Sequence, residues 1–332
     1  MTPLVTPKRV ALGLGLFLAV LIGAGLLADV RKLQSALASY PLWRLLPACA
    51  LVLGNYALRT VRFRRYLQQL GLQLSWPEAW LTFVSGFLFT VTPGKMGEIA
   101  KGWLVHQRHG SSITGVATVV VAERFTDVVG LLALAAVGVA QYGAHAGLFV
   151  GVLGLCAVFL ALVGHPALLP ALLTRLQPLL GRWSLLAKVL QTAHHVHATL
   201  RQLTTPRLLL SATALAALAW FCEAVAFRVL LDGLDAGAGL GVAIVVYAMA
   251  TLFGAVSMLP GGVGSTEAVM VALLLQPSLG LGLDLAEATL ATLLIRFCTL
   301  WFGVGCGALA LGAWRRLLPS AAAATTAATP QP

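Results

Sequence analysis

The chain has 332 residues, of which 59% are apolar and 10% charged, with a mean hydropathy of +0.91. Soluble domains carry about 25% charged and about 45–50% apolar residues, so this composition excludes an ordinary globular protein, and its apolar content excludes intrinsic disorder. Lysine and arginine outnumber the acids 22 to 11, which in so apolar a chain points to positive loops against anionic lipid and not to nucleic acid, a partner that needs a polar, folded basic surface.

An uncharged apolar run over 10–28 follows Lys8 and Arg9. Its length, and the runs behind it, read as a first transmembrane helix and not a cleaved signal peptide. Further runs at about 42–58, 113–140, 147–164, 207–231, 239–258, 265–279 and 286–313 are each long enough to span a bilayer, or nearly so. The stretch 78–105 is also apolar, but Pro93, Gly94 and Gly97 break it at its middle.

Loop charges orient these runs. Arg59, Arg62, Arg64 and Arg65 follow the second run, Arg175, Arg182, Lys188 and Arg201 fall in 165–206, and Arg315 and Arg316 end the last run. Asp232, Asp235, Asp284 and Glu287 sit in short loops without Lys or Arg. The predicted fold is an all-α polytopic membrane protein of about eight transmembrane helices. In it 78–105 is a re-entrant hairpin entering from the cytoplasm, and both termini are cytoplasmic. Only Arg31 and Lys32 fall outside against the rule. Segment 165–206, with Pro166, Pro170, Pro178 and Pro206 among leucines, is expected to form amphipathic helices on the cytoplasmic surface. Residues 1–319 form one transmembrane domain, and 320–332 a disordered tail.

No metal site is expected. Cys49, Cys156, Cys222, Cys298 and Cys306 lie in or beside apolar runs without a CxxC pair and read as small buried hydrophobes. His194, His195 and His197 have no carboxylate or cysteine beside them and read as a lipid-facing surface.

An internal repeat organises the chain. Thr92-Pro93-Gly94-Lys95-Met96-Gly97-Glu98 resembles Leu259-Pro260-Gly261-Gly262-Val263-Gly264-Ser265-Thr266-Glu267, both reading P-G-x-x-G with a nearby Glu. Composition predicts only about 0.16 such P-G-x-x-G strings, yet two occur, separated by close to half the chain. The flanks repeat as well. Arg62 precedes Pro93 by nearly the same interval as Arg228 precedes Pro260, and Arg124 follows Pro93 at a spacing similar to that of Arg296 after Pro260. With Arg62 inside and Arg228 towards the outside, the halves (about 42–140 and 207–313) are expected to be inverted. Proline and glycine at matching positions break helices at membrane depth, where freed backbone groups must line a cavity, the pattern of a transporter's midplane site. The bland alternative is two kinked helices packing through glycine.

Charges gather around these breaks. Lys95, Glu98 and Lys101 lie in or after the first, Glu123, Arg124 and Asp127 inside 113–140, Glu223 and Arg228 inside 207–231, Glu267 at the second break and Arg296 in the last run. Each costs roughly 2.5–3.5 kcal/mol to insert, so they must face one another or a wet cavity. Glu123 and Asp127, at i and i+4, share a helix face. Such groups serve either a site or ion pairs that only fix helix packing.

The basic stretch after the second run, TPGKMGE, Glu123-Arg124-Phe125-x-Asp127 and PGGVGSTE together resemble the lysylphosphatidylglycerol synthase transmembrane-region family, the flippase-like or UPF0104 proteins, over about 10–315. The resemblance implies a region that moves lipids between leaflets, fused to a soluble aminoacyl transferase domain or alone, in some cases with hopanoids or polyprenyl-linked glycans. Thr92 to Glu98, Lys101, Glu123, Arg124, Asp127 and Pro260 to Glu267 match family motifs, and Arg59 and Arg62 match its basic stretch, with Phe63 as the following aromatic. Only the short stretch 317–332 follows Arg316, so no aminoacyl transfer is expected.

The leading expectation is a translocase in the bacterial inner membrane for an anionic phospholipid, hopanoid or polyprenyl-linked lipid. Lys95, Lys101 and Arg124 would hold the headgroup, helped by helix N-termini after Gly97 and Gly264. Glu98 and Glu267 are candidate proton carriers, since no Walker A sequence is present. No cofactor is expected. The partners are membrane lipids, with a homodimer or a lipid synthase as further candidates. The alternatives are an intramembrane enzyme on lipid phosphates or lipid-linked sugars, with Glu123 and Asp127 as acid/base or metal pair, and a non-transporting partner of a synthase.

Overall fold

A computed structural model describes residues 30–90, 96–142, 196–257 and 259–318, with scattered positions between 150 and 175. The run 10–28, Thr92, Pro93, Gly94 and Lys95, most of 147–195 and the tail lie outside the described residues; for Gly97 and Glu98 the helical backbone alone is described. Among the described residues every element is a helix and there is no strand.

Helix α1 (Val30–Ser39) meets α2 (Leu45–Gln69) through a short 3₁₀ turn at Leu42–Arg44, and the pair bends by 77°. Helix α3 (Trp76–Ser85) starts with proline in its first turn, where the missing N–H is harmless. It tightens into a 3₁₀ turn at Gly86–Phe89 before the break, and α4 (Met96–His109) leads back. The outer ends of this hairpin clasp: Glu78 at the start of α3 accepts from Arg108 Nε at 3.1 Å and lies 2.6 Å from His109 Nε2 at the end of α4. The contact holds the start of α3 and the end of α4 together.

Helix α5 (Ile113–Tyr142) is followed by α6 (Pro206–Leu231), α7 (Leu240–Val256) and α8 (Ser265–Leu274). Helix α9 (Leu285–Arg296) is opened by a reciprocal cap in which Asp284 Oδ1 accepts Glu287 N at 2.8 Å and Glu287 Oε2 accepts Asp284 N at 2.9 Å. It passes through a π-helical segment, Phe297–Trp301, into α10 (Phe302–Leu317). Pro206–Leu234 and Leu285–Leu317 are long and apolar enough to cross a membrane, and the bent α1–α2 pair adds a third candidate. Helix α5 has the length but carries Glu123, Arg124 and Asp127 within it.

The run 265–279 departs from expectation. It folds as the 10-residue α8, about 15 Å long against a hydrocarbon core of about 30 Å. Composition alone makes it look like a span. A 3₁₀ turn at Pro277–Leu279 and left-handed Gly280 and Gly282 end it early, and it packs back on α7.

Helix α2 lies against α6, and α5 against α6 and α7, whereas α10 covers α3 and its 3₁₀ turn. Small residues allow these approaches: a Cβ on Gly130 of α5 would stand 2.8 Å from Ala217 N of α6, and one on Gly307 of α10 would collide with Leu88 N. The main core runs from Tyr56 through Phe227 to Tyr247; a second, around Phe63 and Phe83, lies under the first hairpin.

Candidate functional site

Four helices deliver charge to one buried place. Helix α2 supplies Arg59 and Arg62, α4 supplies Lys101, α5 supplies Glu123 and Asp127, and α6 supplies Trp220 and Glu223, all of them buried, with the exposed Arg124 beside them. Asp127 is the hub. Its Oδ1 lies 2.8 Å from Arg62 Nη1 and accepts from Trp220 Nε1 at 3.2 Å. Its Oδ2 lies 3.4 Å from Arg59 Nη2 and 3.6 Å from Arg124 Nη1. Arg62, 1% exposed, also donates from Nη1 to Thr126 Oγ1 at 3.3 Å. The Arg59 guanidinium is boxed by Phe83, Phe87 and Trp220, with ring centres 5.6, 5.7 and 5.3 Å away, cation–π distances that partly replace lost water.

Lys101 makes the second pair. Its Nζ donates to Glu123 Oε2 at 3.0 Å and sits 4.3 Å from the centre of the Phe83 ring. Glu123 and Asp127 do share a face of α5, but they serve different partners, because α4 approaches one turn of α5 and α2 the next. Glu223 accepts from Tyr247 Oη of α7. Among the described residues, the buried bases Arg59, Arg62 and Lys101 meet the buried acids Glu123 and Asp127, with Arg124 at the exposed edge and Glu223 beside them. Arg59 Nε, Arg62 Nε and Nη2, and Glu123 Oε1 are buried without a hydrogen-bond partner among the described residues. Such atoms usually find a protein group, a water or a ligand. Among the described residues the cluster is thus basic and incompletely satisfied.

The second break is built differently. Gly261, Gly262 and Gly264 have φ of 61°, 65° and 89°, a region costly for residues with a Cβ. The loop folds onto Gly254 of α7, where a Cβ would collide with Thr266 Oγ1. Ser257 Oγ and Ser265 Oγ lie 2.8 Å apart across it, and Gly264 N donates to Glu267 Oε2 at 2.7 Å. Glu267 Oε1 accepts from Arg296 Nε at 2.6 Å, and Arg296 Nη2 donates to the Gly261 carbonyl at 2.6 Å. Each short helix after a break is thereby tied to the next long helix by an ion pair: Lys101 to Glu123, Glu267 to Arg296, with the signs reversed. Just beyond Arg296, Tyr56 Oη donates to the Thr299 carbonyl of the π-helical segment at 3.0 Å.

The expected residues do not all converge. Lys95, with Thr92, Pro93 and Gly94, lies outside the described residues, as does the side chain of Glu98. Arg228 stays at the end of α6, paired with Asp232 one turn on and 31% exposed, because a local acid at i+4 satisfies it. Trp220, Tyr247, Phe83, Phe87 and Thr126 are not singled out by sequence. The i, i+4 spacing of Phe83 and Phe87, and the i, i+3 spacing of Trp220 and Glu223, are the available signals. Among the described residues no group of His, Cys, Asp and Glu is arranged to hold a metal, and Cys49, Cys222, Cys298 and Cys306 are free thiols.

No curated protein matches this chain. A family model described as the lysylphosphatidylglycerol synthase TM region matches residues 10–307, a stretch that includes both breaks, the cluster on Asp127 and the Glu267–Arg296 pair. The chain belongs to that family and is an integral membrane protein linked to lipid metabolism.

Proposed function

We propose that the protein translocates an anionic lipid between leaflets without altering it chemically. The carrying observation, among the described residues, is the buried basic cluster on Asp127: Arg59, Arg62 and Lys101 against Glu123 and Asp127, with guanidinium nitrogens of Arg59 and Arg62 that find no partner there. Uncompensated positive charge is expensive at membrane depth, and a phosphate oxygen arriving there would offset it with charge-assisted hydrogen bonds. Hydrocarbon tails would stay in the bilayer while the headgroup passes.

The packing supports a reading as two inverted halves. The α3 arm and its 3₁₀ turn lie on α10, the last helix of the second half, and the α7 arm lies on α5, the last long helix of the first. With α7 and α8 as the counterpart of α3 and α4, the expected runs 239–258 and 265–279 become one hairpin and the eight expected spans become six, with the runs 10–28 and 147–164 counted from the sequence alone. Two hairpins then enter from opposite faces. Both termini remain cytoplasmic in a bacterial inner membrane, since the positive loops keep their side.

Leaflet-resolved assays in proteoliposomes test this. Fluorescent phosphatidylglycerol that changes leaflet with unchanged mass is the expected result. A new lipid species would replace the proposal with an intramembrane enzyme, and movement seen only with an added synthase would make the chain that enzyme's partner.

A further inference from the structure

A groove of about 350 Å³ runs between α1, the start of α8 and α9 with its π-helical segment. Leu33, Leu37, Leu293, Phe297, Leu300 and Trp301 wall it, and the Glu267–Arg296 pair forms its one polar edge. The apolar span on this side opens at Leu285, and Leu290 and Trp301 bound the part of it that lines the groove. They lie about 8 and 24 Å along the helix from that opening, at roughly 1.5 Å per residue. An open groove walled by apolar side chains on a helix long and apolar enough to cross a membrane suits hydrocarbon better than water. Phe297 and Leu37 are 50% and 44% exposed there. Its volume is at the lower end of ligand pockets, roughly 300–1,000 Å³.

The polar edge selects what part of a lipid sits beside it. Arg296 uses Nε on Glu267 and Nη2 on the Gly261 carbonyl, and its Nη1 makes no hydrogen bond to any described residue. Glu267 Oε2 is held by Gly264 N. The pair is neutral overall, so a phosphate beside Arg296 would also meet the Glu267 carboxylate. A neutral acceptor, such as an ester carbonyl, meets the free Nη1 donors without that repulsion. The half-one cluster has the opposite character, basic among the described residues.

We infer that this groove binds one ester-linked acyl chain of a membrane phospholipid, with the ester carbonyl accepting from Arg296 Nη1. Arg296 lies about 16 Å along the helix from Leu285, at roughly 1.5 Å per residue. The inference rests on the translocase reading, but binding and transport fail separately.

The test uses the full chain in vesicles of phosphatidylglycerol and phosphatidylethanolamine, with a phosphatidylglycerol probe carrying a diazirine on its acyl chain and peptides read by mass spectrometry. Photolabel is expected on Leu293 to Trp301. Leu37→Trp, at an exposed position where folding is safe, and Leu293→Trp should each lower it about tenfold, the equivalent of roughly 1.4 kcal/mol. An ether-linked probe should label the groove less than the ester. Equal labelling of Leu210 and Leu309, which are 75% and 77% exposed outside the groove, would overturn the site. So would equal labelling by the ether, or crosslinks from the groove into residues 10–28. Labelling of the groove without translocation would overturn the transport proposal and leave the groove standing; translocation with an unlabelled groove would do the reverse.

Discussion

Lys101 and Glu123 form a pair whose removal separates holding the fold from handling a lipid. Their contact is 3.0 Å, and the side chains are 6% and 2% exposed. Lys101→Met leaves the Glu123 carboxylate buried with neither oxygen paired, since Oε1 already lacks a partner. Glu123→Leu leaves an ammonium that, among the described residues, faces the rings of Phe83 and Phe63. Orphaning one member of a buried pair costs about 3–5 kcal/mol in a soluble core. In a bilayer the unfolded reference still finds partners, so the lower end applies, about 3 kcal/mol, on the order of 100-fold in the folding equilibrium. Replacing both with apolar residues of similar volume is often near neutral. Each single variant should therefore lose abundance and heat resistance in detergent, read as the monodisperse fraction after heating, and Lys101→Met/Glu123→Leu should recover most of it. The double removes one base and one acid of the cluster together, so lipid movement by the refolded double is read separately from its stability. A double variant as unstable as the two singles combined would refute the pairing argument. A stable double without transport would give Lys101 a direct part in the site.

Three further outcomes follow from the packing. Gly254→Ala should destabilise, and Thr266→Ala should rescue it, because the new Cβ would meet Thr266 Oγ1 and little else; Tm measurements on the two variants and the pair check this. Tyr247→Phe removes the hydroxyl that donates to buried Glu223 and should lower stability by about 1–3 kcal/mol, seen as a lower Tm with unchanged membrane insertion. Reporter fusions at residue 235 and at the C-terminus should report opposite faces; the same face for both would contradict the arrangement of halves.

The sequence carries the cost of charge in lipid, and so the need for Glu123, Asp127, Arg62 and Lys101 to be paired, but not who pairs with whom. Asp127 takes Arg62 and Arg59 from α2, far back in the chain, a choice made by how α2 crosses α5. Local spacing misleads twice. Arg228 matches a repeat offset, yet Asp232 one turn on holds it, and the apolar run at 265–279 counts as a span because hydropathy does not register the turn at Pro277. The second break is legible, since proline and clustered glycine leave few other conformations. The aromatic box around Arg59 is not, because Phe83, Phe87 and Trp220 read alone as ordinary core.

Headgroup selectivity tests the central claim most directly. Proteoliposomes should move fluorescent phosphatidylglycerol faster than the matching phosphatidylcholine, and Arg62→Met should abolish that preference while the protein remains folded by heat resistance. Equal rates for the anionic and zwitterionic probes, or a preference that survives Arg62→Met in a folded protein, would contradict the assignment of the basic cluster to an anionic headgroup.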